Sequence, residues 1–396
     1  MSTRALVALG AGQCVNWGVL YYAFAVLTEP VREELGVSTW VVTGAFSLAL
    51  LTSAMAAPAI GTWGDRDRGA LVMQAGGFAA AALLIVWTLV PTVLTLYLVW
   101  AGLGLCMAAT LYEPAFILVG RAYRDPLARL RAIATITLFG GLASTVFLPF
   151  TAFVVVQSGW RHGVVVLAAV LVLSTLMTRT IAFRRPLAPS ATFTSSESPA
   201  DLDATTPRPQ GFLFVATAFS LASLASASFT TNLVPAMGEH GVTPGTAALL
   251  GSLLGVMQLP GRALLMSGTL SASPRGLLTL SLALHASGLG VVALAGSTLV
   301  AAAGTALFAL GAGLTTLARP HLVRTMFSVE RGGYFNGRIA RSQQLARAVG
   351  PILVAWLATV LGYTAVFAAL GVVFVIMGLA SWEGLGEINR LEKETV

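Results

Sequence analysis

Apolar residues in this chain fall into long unbroken runs, not into period-two alternation or narrow helical stripes. Twelve runs reach the roughly 20 residues that a helix needs to cross hydrocarbon: 6–27, 39–60, 70–90, 93–119, 132–156, 163–183, 211–234, 245–266, 277–296, 299–317, 339–361 and 364–382. Between the sixth and seventh, residues 184–210 are rich in Pro, Ser, Thr and Asp. That stretch has too little apolar content to pack and is expected to be a flexible linker. The pattern predicts an all-α membrane protein with twelve transmembrane helices, in bundles at 1–183 and 211–396.

Composition agrees. Of 396 residues 56% are hydrophobic and 10% charged, against roughly a quarter charged in soluble domains. A net charge of +7 would fit a nucleic-acid partner, but its distribution has a simpler account. With a cytoplasmic amino terminus, the inner loops hold Arg66, Arg68, Arg121, Arg124, Arg129, Arg184, Arg185, Arg208, Arg275, Arg319, Arg324 and Arg331, and the outer loops hold Arg32 and Arg161. Basic residues mark the cytoplasmic side. The expectation is a multi-pass protein of the inner membrane with both termini cytoplasmic, working as a monomer. The first run is longer than a signal-peptide core and reads as a retained helix. Cys14 and Cys106 lie in apolar segments and read as packing residues, not as a disulfide or metal site.

The halves echo each other. Glu34-Leu35-Gly36-Val37 after the first run returns as Glu239-His240-Gly241-Val242 after the seventh, and Ser158-Gly159-Trp160 before the sixth returns as Leu361-Gly362-Tyr363 before the twelfth. Matching places in the topology imply a repeat about an axis normal to the membrane. The loop 61–69, Gly-Thr-Trp-Gly-Asp-Arg-Asp-Arg-Gly, packs four charges and three glycines between the second and third runs. It resembles the loop signature of the major facilitator superfamily, with Arg68 and Gly69 exchanged relative to the usual order. That resemblance implies secondary active transport of a small solute by alternating access, without a cofactor. It also suggests Gly61, Asp65 and Arg66 as a conformational gate that ties the halves together. The run through Gly255, Gln258, Pro260 and Arg262 resembles the eighth helix of monocarboxylate and oxalate porters, although Gln258 stands where the monocarboxylate porters have an aspartate. The early-fourth-helix arginine typical of drug antiporters is replaced by the segment around Trp100 to Gly104.

Candidate chemistry is sparse. Glu113 is the one acid deep in an apolar run, where a carboxylate costs about 2 to 3 kcal/mol on the lenient insertion scales. It is either a proton-coupling group or a structural hydrogen-bonding one. Arg262, with Gln258 a turn earlier, is the foremost candidate for substrate contact, the alternative being an arginine that snorkels to the interface. Arg347, four residues before Pro351, is a second candidate, and Arg341 a weaker one. Gln13, Asn16, Trp17 and Tyr21 recur at helical spacing and form a polar, aromatic stripe that faces either a cavity or a neighbouring helix. His285 reads as a packed histidine. One acid and scattered histidines cannot supply an enzyme's constellation, and no phosphate-binding loop is present. The reading is a transporter of a small organic anion such as a carboxylate, coupled to protons through Glu113; the alternative is a proton-driven exporter of a drug or metabolite.

Overall fold

The computed structural model describes residues 1–63, 68–89, 92–123, 125–182, 211–260, 274–326 and 332–394. Asp65, Arg66, Arg262 and the expected linker 184–210 lie outside them. The described residues form helices α1 (Thr3–Trp17), a π turn (Gly18–Tyr22), α2 (Ala23–Leu35), α3 (Thr39–Trp63), α4 (Gly69–Leu89), α5 (Val93–Thr110), α6 (Tyr112–Ala122), α7 (Pro126–Gly141), α8 (Ala143–Ile181), α9 (Phe212–Glu239), α10 (Pro244–Val256), α11 (Pro274–Ala293), α12 (Thr298–Met326) and α13 (Gly332–Glu394).

Helix length and membrane thickness together recover the expected spans as far as the described residues reach, the eighth being described only to residue 260. At 1.5 Å per residue, the 39 residues of α8 and the 63 of α13 would reach about 58 Å and 95 Å, against roughly 30 Å of hydrocarbon. Each breaks at a glycine. Gly159 (φ 79°, ψ 163°) and Gly362 (φ 77°, ψ 156°) hold backbone angles that an L side chain rarely adopts, and there the chain reverses to begin the sixth and twelfth spans. Conversely, α1, the π turn and α2 make one span, as do α5 with α6 and α7 with the first part of α8. Large apolar side chains such as Leu94, Phe153, Val156 and Val360 are outward-facing and exposed, which suits a lipid belt and no aqueous surface.

Each half has its own core. In the first, a ring chain runs from Phe46 and Phe24 through Trp100 and Trp87 to Trp160. In the second, Phe229 packs on Phe308 and Phe367. The halves meet through small residues. Thr145 Oγ1 of α8 donates to the Ser252 carbonyl at 2.8 Å, and the Ile352 amide of α13 donates to Ser47 Oγ of α3 at 3.2 Å. A Cβ at Gly255 would come 2.5 Å from the Gly141 carbonyl oxygen, so α10 touches the backbone at the end of α7, just before α8 begins. Ala25 and Val26 of α2 and Leu148 and Ala152 of α8 join the core of the second half. These contacts lie from mid-helix toward the end that carries Gly36, Gly159, Gly241 and Gly362. The described residues of the two halves touch on that side.

The sequence echoes touch one another inside each half. The Glu34 carboxylate accepts from Trp160 Nε1 at 2.7 Å and from both Arg161 terminal nitrogens, while Arg161 Nε donates to the Thr88 carbonyl at 3.3 Å. Glu239, its repeat mate, accepts from the Tyr363 amide at 2.8 Å. Each acid thus ties the end of its half's first span to the start of its last. Glu34 lies beyond the apolar run. Hydrogen bonds from Arg161 and, to a smaller extent, Trp160 hold its carboxyl below the ordinary range, against a partial desolvation that opposes them. The stabilisation is therefore present above about pH 4.3 and is lost as pH falls through the lower folded value. The pair is half-exposed, so Glu34→Gln is expected to cost only about 1 kcal/mol at pH 7 and progressively less as the pH falls below the usual carboxylate range. Thermal unfolding in detergent across that range checks this; an equal loss at every pH would refute it.

Candidate functional site

The site is built on a proline. In a continuous helix the amide of residue 114 would donate to the Thr110 carbonyl, but Pro114 has no N–H. The helix breaks instead at Leu111 (φ −77°, ψ −154°) and restarts as α6. The released carbonyl is caught by two amides of α1: Gln13 Nε2 at 2.7 Å and Asn16 Nδ2 at 3.0 Å. Glu113 therefore stands in the first turn of a new helix, where the dipole favours an anion. Its side chain is exposed. It is not sequestered in the bundle, as a carboxyl inside one continuous span would be.

Two residues beyond Asn16, α1 gives way to the π turn, which brings an aromatic group against this break. Trp17 lies 4.8 Å from Tyr112 and 5.2 Å from Tyr21 between ring centroids, and Tyr112 stacks on Phe116 at 5.2 Å. Gly18 is required there, because a Cβ would sit 2.1 Å from the Phe147 ring. Tyr21 is buried and lies within electrostatic reach of Arg347 in the other half.

The second half supplies the cations. Arg319 on α12 and Arg347 on α13 are both half-buried, and Arg319 is within electrostatic reach of both Arg347 and Glu113. Arg319 Nη1 donates to Gln343 Oε1. Counted above as a loop residue, Arg319 is in fact helical, since α12 runs on to Met326 through Pro320. Gln343 was likewise unmarked by spacing or charge. The signal that could have found Arg319 is the absence of turn residues between Leu317 and Pro320.

Thus Glu113, Tyr21, Trp17 and Arg347 of the expected site come together, with Arg319 added. Asn16 is buried and adjoins the group through its bond to Thr110. Gln258 is half-buried, in the helical turn beyond α10, with its carbonyl close against Gly313 of α12. Gly61 lies in the last turn of α3. Arg262, Asp65 and Arg66 are outside the described residues. Arg341 is exposed, and His285 is buried with Nδ1 2.8 Å from the Ser281 carbonyl, stacked on Phe374. A recess of about 320 Å³ between His240, Thr243, Thr246 and Ser297 holds none of these groups.

Two helical halves that touch through small residues, with Arg319 of the second within electrostatic reach of Glu113 of the first, suit a membrane transporter. A family profile described as Major Facilitator Superfamily matches residues 9–271, and the chain belongs to that family. Its fold is similar to a bacterial homologue of the human lysosomal transporter Spinster, in an inward-facing and occupied conformation (14% identity, TM-score 0.76, 96% of each chain covered). It is also similar to the nucleoside transporter NupG (14% identity, TM-score 0.76, 96% of this chain and 98% of that one). Comparison with curated protein sequences finds no match.

The shared carbonyl makes a sharp expectation. Gln13→Leu or Asn16→Leu alone leaves Thr110 one donor and should cost about 1 kcal/mol. The double variant orphans a buried carbonyl and should cost about 1 to 3 kcal/mol more than the sum. Denaturant unfolding in detergent measures the cycle, and strict additivity would mean that another donor reaches Thr110.

Proposed function

We propose that the transported solute is a small organic anion such as a carboxylate, moved with protons that Glu113 takes up and releases. The observation that carries this is the opposition of charge across the halves: Arg319, within electrostatic reach of Arg347, is also within reach of the exposed Glu113 of the first half. An arginine in a membrane cannot shed its charge and must find an anion, water or carbonyl partner. A carboxylate substrate matches its fork, and Glu113 is the one partner of the three that can change charge. Arg262, Gln258, Tyr21, Trp17 and Asn16 belong to the same proposed site. The distribution of arginines supports an inner-membrane protein with cytoplasmic termini. In that orientation the side on which the halves touch is the outer one, and Gly61, Asp65 and Arg66 belong to an inner gate.

Protein in liposomes should take up benzoate faster when the outside is acidified. Arg319→Gln and Arg347→Gln should each slow uptake by about 10-fold to 100-fold, the loss of a charge-assisted pair worth about 1.5 to 3 kcal/mol. Glu113→Gln should flatten the pH dependence. Uptake of uridine or of an aromatic cation with no uptake of benzoate would overturn the anion reading, and the cation result would favour a drug exporter. Wild-type pH dependence in Glu113→Gln would make that residue structural.

A further inference from the structure

Arg319 does not stand free in the space between the halves. Its partner Gln343 is itself held from the other side: Nε2 donates to Ser223 Oγ at 3.1 Å and to the Phe219 carbonyl at 3.4 Å, both on α9. A carbonyl can only accept, so Nε2 must face α9 and Oε1 must face the guanidinium. A flipped amide would set N–H against N–H at Arg319 and carbonyl against carbonyl at Phe219. Chemistry therefore fixes the amide, and three helices, α9, α13 and α12, fix the plane of one arginine.

We propose that Gln343 is the positioning residue of the anion site: by engaging Nη1 it holds the fork of Arg319 so that another edge meets a planar carboxylate through two parallel hydrogen bonds. This rests on the anion reading above. A glutamine suits the task better than a glutamate. A carboxylate at 343 would bind Arg319 more strongly, but it would neutralise the charge that the substrate needs. A neutral acceptor orients the guanidinium and leaves its charge available. Attachment of α13 to α9 does not depend on this amide, because Ser220 Oγ donates to Ser342 Oγ at 2.9 Å one residue away and Asn232 Nδ2 donates to the Pro351 carbonyl at 3.3 Å further along. Orientation and folding are thereby separable.

The test uses the full-length protein in liposomes with benzoate and, as a tetrahedral anion of like size, benzenesulfonate. Gln343→Met should raise the KM for benzoate about tenfold and narrow the preference for benzoate over benzenesulfonate, with thermal stability and maximal rate near wild type. Gln343→Glu should abolish saturable benzoate uptake while unfolding at or above the wild-type temperature. If Gln343→Met does not fold, Ser223→Ala, which frees only one anchor of the amide, should raise the KM about threefold. In an Arg319→Gln background, Gln343→Met should add nothing. If the wild type takes up benzoate and Arg319→Gln does not, yet Gln343→Met and Gln343→Glu keep the wild-type KM and preference, the positioning role is overturned and the anion reading stands. If the wild type takes up no benzoate, the anion reading falls and the positioning role falls with it.

Discussion

A proline inside a membrane span leaves the carbonyl four residues earlier without its donor, and in hydrocarbon that oxygen has no water to turn to. At Pro114 the released carbonyl is Thr110, and two amides of α1 must reach it. That requirement sets the register of the first helix against the fourth span, places the π turn opposite the break, and frees Glu113 at a new helix start. The second half has its own version. Pro351 removes the donor to the carbonyl of Arg347, and the chain there is braced from both sides, with Asn232 donating to the Pro351 carbonyl and the Ile352 amide donating to Ser47. Tyr363 fixes Asn232 in turn, its hydroxyl donating to Oδ1 at 3.0 Å. In each half a proline stands beside a charged residue of the site.

Alternating access needs halves that are stiff inside and weakly joined to each other. The contacts within a half are costly to break: acid to indole and guanidinium at Glu34, acid to backbone at Glu239, and interlocked aromatic cores. Those between halves are of another kind. Gly255 against Gly141 and Gly251 against Leu148 rely on close approach of small residues, with single hydrogen bonds at Thr145 and Ser47. Such surfaces separate without stranding a charge.

Much of this was legible in the sequence because the membrane simplifies the problem. Span count, span order and the repeat follow from run length and from glycines and acids at matching offsets, and the structure turns the echoes into contacts. Glu113 stood out as an acid in an apolar run, and Arg347 as a cation beside an intramembrane proline. What was not legible depended on distance in the chain. The break at Leu111 needs its partners 94 and 97 residues away to be satisfied, and nothing local says that they exist. Arg319 follows an apolar run by two residues, so the same rule that orients the protein disguised it as a loop charge. Gln343 is an unremarkable polar residue until Phe219 and Ser223, more than a hundred positions earlier, are folded against it.

The division of charge between the halves also has a chemical logic. A guanidinium keeps its proton in any environment open to it, so its burial demands fixed neutral acceptors, and Arg319 has one in Gln343. A carboxylate can answer desolvation by taking a proton, and Glu113 is left exposed at a helix start, without a fixed cation at hydrogen-bond range among the described residues. On the proposed reading, closing the side that bears the termini brings a fixed positive half toward a titratable negative one. An anion between the arginines competes with Glu113 for them. Binding of an anion there and the environment of Glu113 are then linked through the same two cations, without the anion touching the carboxylate.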